Sequence, residues 1–176
     1  MLNLFQKYRR TAAPSGREQR DQFSTYFFAQ EDHAWISAQP QTREAFEQLF
    51  ARLPIALLMN LMRHPLSFVP SQAFQKNGAA RYQLGNTIVV FPEYQRLLTR
   101  KSLEAVAFLA HEVAMVLYEV ETLDDKDPLM AEVEADKFVC DIGLADELEQ
   151  LLLGMDESSE KRLRLTYLTF KSLGIN

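Results

Sequence analysis

One stretch limits what this chain can fold into more than any other: Leu103 to Val120, LEAVAFLAHEVAMVLYEV. Ala105, Val106, Phe108, Leu109, Ala110, Val113, Val116, Leu117 and Val120 occupy most of a helical circumference. A helix without a polar face does not lie on a surface. It runs inside a domain and is contacted on several sides. His111 and Glu112 are therefore adjacent polar groups in apolar surroundings. Burying either one unpaired costs about 1–3 kcal/mol or more, so each is expected to have partners.

The rest of the chain has to supply the layers around that helix. Thr42 reads as the cap of a helix opened by Arg43-Glu44-Ala45, and Phe46, Leu49, Phe50, Leu53, Leu57, Leu58, Leu61 and Met62 follow helical spacing. Pro54 divides this run into helices over 42–51 and 54–63, the second packing on a sheet. Leu66-Ser67-Phe68-Val69, between Pro65 and Pro70, reads as a short edge strand. Asn77-Gly78 marks a turn, and Ala80 to Leu84 alternates as a strand does. Thr87 to Phe91 is apolar on both faces, as a central strand is, and ends at Pro92. Glu93 to Lys101 reads as a loop leading to Ser102, a cap for the central helix.

Beyond that helix, Thr122 to Pro128 is an acidic connection without the ligand alternation or glycine of a calcium loop. Leu129 to Leu144 reads as a helix stopped by Gly143, and helical stretches follow over 145–153 and 157–173. The pattern predicts an α+β fold: a small mixed sheet of three or four strands, a buried H-E-x-x-x helix and C-terminal helices. Residues 1–40 read as a basic N-terminal arm and an aromatic segment, with Phe23, Tyr26, Phe27, Phe28 and Trp35 packing on a core domain of residues 41–176.

Composition narrows the function classes. A net charge of -5 argues against general nucleic-acid binding. The single cysteine, Cys140, allows no internal disulfide and reads as a small core residue. No apolar run reaches the ~18 residues of a membrane span. The opening MLNLFQKYRR lacks the apolar core of a secretion signal, so a cytoplasmic protein is expected. His33 reads as a surface loop residue, and His64 as a residue settled at a helix C-terminus.

Glu132 and Asp136 are four apart and share one face of their helix. With them in view, AFLAHEVAMVLYE followed by AEVEADKFVCDIGL resembles the gluzincin zinc metallopeptidases, especially the minimal HtpX-type and CAAX-prenyl-endopeptidase-type catalytic core. ESSEKRLRLTYL is similar to the arginine-bearing helix that closes such domains, and the resemblance covers about residues 45 to 173. It implies a zincin-like fold. It makes His111 the first zinc ligand, Glu112 the general base, Glu132 the carboxylate ligand and Asp136 the carboxylate that orients His111 from behind.

The second histidine of H-E-x-x-H belongs at position 115, where this chain has Met115. A neutral thioether is a poor zinc ligand. Two of the three protein ligands are left, and His33 and His64 lie outside the motif helices. Without metal nothing polarises a carbonyl or lowers the pKa of a water toward ~7. The resemblance, with this loss, implies a pseudo-peptidase without a cofactor: a binding, regulatory or scaffolding protein. Its partner would be a protein or peptide held in the old substrate cleft and along the edge strand. Two other readings stand beside it. One is an active zinc-dependent metallopeptidase with an atypical ligand set. The other is an unrelated α+β interaction domain in which H-E is a coincidence. Metal content separates the first two, and the meeting of His111 with Glu132 and Asp136 separates both from the third.

Overall fold

A computed structural model describes residues 16–72, 86–100, 102–121 and 128–174. The fold is α+β, mostly helical, with a two-stranded parallel sheet among the described residues. The chain divides into two compact units, residues 1–105 and 106–176.

In the first unit, α1 (Gly16–Phe28) is followed by a 3-10 turn (Glu31–His33), α2 (Ala34–Ser37), α3 (Pro40–Arg52) and α4 (Ile55–Arg63). α3 begins two residues before the expected cap at Thr42. Pro40 takes its first position, where a fixed φ suits the helix and the missing N–H is not needed. Thr42 is buried inside the first turn instead, and its hydroxyl donates to Gln39 Oε1 at 3.0 Å. Pro54 stands just before α4, and its carbonyl accepts from the Leu57 and Leu58 amides at 3.0 and 3.1 Å. α1 rather than the sheet is the main neighbour of α4. Arg20 ties α1 to the end of α3, its guanidinium donating to the Phe50 carbonyl at 3.2 Å and the Leu53 carbonyl at 3.0 Å. Those are carbonyls that a helix end leaves without intrahelical partners.

Aromatic rings fill the centre of this unit. Phe23 and Phe27, one turn apart on α1, are buried against Phe50, each with its centroid 4.9 Å away. Phe46 meets Phe68 edge to face at 4.9 Å. Such pairs add about 0.5–1.5 kcal/mol beyond the area they bury.

β1 (Ser67–Pro70) and β2 (Thr87–Val90) run parallel, with Ser67 opposite Thr87 and Pro70 opposite Val90. The turn at Asn77-Gly78 and the expected strand Ala80–Leu84 lie outside the described residues, so the pairing described is parallel rather than mixed. β2 is not covered on both faces as its apolar run suggests: Ile88 and Val90 are buried, while Thr87 and Val89 are half-buried. The outer edge of β1 was expected to be open to a peptide, and it is closed at its centre. Ser67 and Ser71 direct their amides to β2, onto the Asn86 and Val90 carbonyls at 2.9 Å, so Phe68 faces away. The Phe68 amide donates to His33 Nε2 at 3.1 Å, and the Phe68 carbonyl accepts from Trp35 Nε1 at 2.8 Å. The expected loop after Pro92 is a helix, α5 (Pro92–Leu98). A proline that ends a strand also suits the first position of a helix.

α6 (Leu103–Glu121) carries the chain into the second unit, and every residue from Ala105 to Val116 is buried. α7 (Pro128–Asp141), α8 (Ala145–Leu153) and α9 (Ser159–Ser172) pack on one another. α7 stops short of Leu144 because Gly143 turns left-handed, φ 80°, and the Leu144 amide folds back onto the Val139 carbonyl at 3.1 Å. Ser158 caps α9, its hydroxyl accepting from the Lys161 amide at 3.0 Å. The buried Lys161 ammonium donates to the Leu153 and Met155 carbonyls at 3.2 and 2.7 Å, past the end of α8. No single helix among the described residues is long and apolar enough to cross a membrane. The arm, residues 1–15, and most of the acidic loop, residues 122–127, lie outside the described residues.

Candidate functional site

Three helices of the second unit converge on one charge cluster. α6 contributes His111, α7 contributes Glu132 and Asp136 from one face, and α9 contributes Arg164. His111 Nδ1 donates to Asp136 Oδ1 at 2.9 Å. His111 Nε2 lies 3.0 Å from Glu132 Oε2. Arg164 grips Asp136 with two donors, Nε to Oδ2 at 2.7 Å and Nη2 to Oδ1 at 2.8 Å, the paired geometry that makes guanidinium–carboxylate contacts strong. Its third nitrogen, Nη1, is 3.0 Å from Glu132 Oε2 and 3.3 Å from Glu160 Oε1. Asp136 has no exposed surface, and His111 and Arg164 are each 4% exposed. Neither approach to Glu132 Oε2 is well directed as a hydrogen bond, so the attraction there is chiefly Coulombic.

The charges settle one another. Burial and the Arg164 charge oppose protonation of His111, but its hydrogen bond to Asp136 and the nearby Glu132 carboxylate outweigh them and hold its pKa above the ordinary imidazole value. Burial pushes the Asp136 carboxyl up. The hydrogen bonds and charges of His111 and Arg164 outweigh it and leave the pKa below the usual range. Arg164 is likewise pushed down by burial and up, by more, through Asp136 and Glu132. The cluster thus sets His111 and Arg164 against the fully buried Asp136 and the largely buried Glu132, with Glu160 at the rim. Its chemistry is compensation of charge. An imidazole held by acids at both nitrogens has no free lone pair to act as a base.

No family model, curated protein or solved structure matches this chain.

The described residues do not supply the ligand set of a catalytic zinc. Such a site needs three protein ligands and one open position. Of the expected ligands, His111 Nε2 and Glu132 Oε2 lie 3.0 Å apart, and the position one turn beyond His111 is the buried thioether of Met115. The same Glu132 oxygen faces the Arg164 guanidinium, a cation already where a metal would draw on that carboxylate. No group of three or more His, Cys, Asp or Glu side chains arranged for a metal occurs among the described residues. Glu112, expected from the resemblance as the general base, is buried beside His111 at 3% exposure.

The other two histidines belong to the first unit. His33, expected at the surface, is fully buried: its Nδ1 donates to the Phe27 carbonyl at 2.8 Å, and Nε2 is taken by the Phe68 amide. His64 is exposed at the C-terminal end of α4. Cys140 is half-buried, and burial pushes its thiol up to about 11, far from a reactive thiolate.

Arg164 is the member that the motif comparison did not single out. Its signal lies in spacing: Lys161, Arg164 and Leu168 fall at i, i+3 and i+7, one face of α9, and all three are buried. Glu134, between Glu132 and Asp136 in sequence, is half-buried and pairs with Lys137 at 3.8 Å, apart from the cluster.

Proposed function

We propose that this chain is a non-catalytic, zincin-like protein, a pseudo-peptidase whose work is binding a protein or peptide in a regulatory or scaffolding role. One observation carries the reading: Glu132 Oε2 stands 3.0 Å from both His111 Nε2 and Arg164 Nη1, with Met115 where the second histidine would be. The retained donors serve an internal ion cluster, so the residues that would activate a water lack the metal ligand set they depend on. The order of the H-E helix, the Glu-x-x-x-Asp helix and the arginine-bearing helix supports a zincin-like origin. A fold that keeps this core without its chemistry keeps a surface for partners. The β1 edge is a poor candidate for holding a peptide, because His33 and Trp35 already occupy the Phe68 backbone.

The test is metal analysis with an activity assay on one preparation. The dialysed protein is expected to hold no stoichiometric zinc, to cleave no peptide library and to gain no thermal stability from added zinc. Met115→His adds an imidazole one turn from His111, a ready chelate, and is expected to gain zinc-dependent stabilisation. One equivalent of zinc surviving dialysis of the parent, with chelator-sensitive cleavage, would establish the metallopeptidase with an atypical ligand set instead.

A further inference from the structure

The outer edge of β1 is held by a group whose hydrogen-bonding role reverses on protonation. A carbonyl only accepts, so His33 Nδ1, 2.8 Å from the Phe27 carbonyl, carries a proton. A backbone amide only donates, so His33 Nε2, 3.1 Å from the Phe68 nitrogen, presents its lone pair. The two contacts define one neutral tautomer without reference to the ring's electron distribution. A second proton has one place to go, Nε2, where it would set two N–H groups head to head in a buried site.

We propose that His33 is an acid-released latch on the β1 edge: neutral, it holds the Phe68 amide; protonated, it lets that amide go while the pairing of β1 with β2 persists. The release is confined to one side. Trp35 Nε1 does not titrate, so its bond to the Phe68 carbonyl stays, and Ser67 and Ser71 keep their bonds to the β2 side.

The surroundings decide how readily the proton enters. The ring is fully buried and stacked on Phe27 with centroids 3.8 Å apart. Glu31 and Asp32 share its 3-10 turn, and Asp32 favours the cation. β1, SFVP, and α2, AWIS, carry no ionisable side chain. From α1 the stacked residue is Phe27, with Tyr26 next to it in sequence. The nearest charged residue along that helix, Asp21, is six positions from Phe27, about 9 Å of axial rise. On α3, Arg43 lies over Phe28 at 4.5 Å, and Phe46 meets Phe27 at 5.3 Å. Burial outweighs the Phe27 bond and Asp32, so His33 titrates below the ordinary imidazole value. The latch therefore holds near neutrality and opens only below the ordinary imidazole range.

Amide hydrogen exchange on the whole chain, between about pH 7.5 and about pH 5, reads the latch directly, once intrinsic rates are divided out. The Phe68 amide is expected to lose about tenfold or more of its protection in acid while Ser67 and Ser71 keep theirs, and nitrogen NMR of the imidazole is expected to show the Nδ1–H form at neutral pH. In His33→Gln the side-chain oxygen still accepts but does not titrate, and Phe68 protection should then be flat with pH. The idea is overturned if Phe68 tracks Ser67 and Ser71 at every pH, if the imidazole is Nε2–H at neutrality, or if the glutamine variant shows the same acid loss. The two wild-type measurements decide the matter even where the variant does not fold.

Discussion

Replacing Asp136 with alanine tests the cluster at its centre. The carboxylate accepts from His111 Nδ1 and from two Arg164 nitrogens, at 2.9, 2.7 and 2.8 Å, with no exposed surface of its own. Its removal leaves two buried cationic groups. His111 can shed its proton, but a guanidinium cannot, and among the described residues Arg164 keeps the carboxylates of Glu132 at 3.0 Å and Glu160 at 3.3 Å. Removing one partner of such a buried pair costs about 3–5 kcal/mol. That is a large share of the ~5–15 kcal/mol that holds a typical domain folded. The same change at Glu134 removes only an ion pair at 3.8 Å between partly exposed side chains, expected to cost about 0.5 kcal/mol or less. Urea titrations of both variants, compared by midpoint at constant slope, give the numbers. The double variant Asp136→Ala with Arg164→Met should fall short of the summed single costs by about 1–3 kcal/mol, since each single change strands the other partner. Equal and small costs at 134 and 136 would refute the cluster as an energetic unit.

Stability should also carry the cluster's pH signature. His111 is raised from 6.5, so its contribution is full below that value and is lost as pH rises through its higher folded pKa. Asp136 is lowered from 3.8, so its contribution is full above that value and is lost as pH falls through its lower folded pKa. Urea midpoints of the wild type should therefore fall on the alkaline side relative to His111→Gln; parallel curves would contradict this. Lys161→Met should lower stability by about 1 kcal/mol, because it removes two hydrogen bonds to the Leu153 and Met155 carbonyls at a half-buried site, and an unchanged melting temperature would argue against that role. Arg20→Leu should cost about 1–2 kcal/mol in a urea titration through the Phe50 and Leu53 carbonyls at the end of α3; a neutral result would mean that water replaces the guanidinium there.

Much of the second unit could be read from the sequence, and the reason is local. The absence of a polar face on α6 demands burial, and the Glu132–Asp136 spacing puts both carboxylates on one side of α7 whatever surrounds them. Arg164 was harder to choose, since α9 offers Lys161, Arg162, Arg164 and Lys171, and only packing decides which cation turns inward. In the first unit the misreadings gather at prolines. Pro40 and Pro92 each begin a helix, but the same residue also serves to end a strand or a loop, and one chain does not distinguish the two uses. His33 was out of reach for another reason. Its burial depends on Phe68, 35 residues away, and no local spacing announces that contact.

Asp136 draws its two cationic partners from positions 25 and 28 residues away, on different helices. The consequence reaches past this one chain to how its relatives can drift. A neutral residue at 136 is tolerable only where 164 has lost its charge, and a charge at 164 only where 132 or 136 can answer it. Substitutions at these positions should therefore be inherited as linked sets, with single intermediates penalised. Positions 111, 132, 136 and 164 would then switch together across an alignment, while Glu134, one residue from that face, varies on its own.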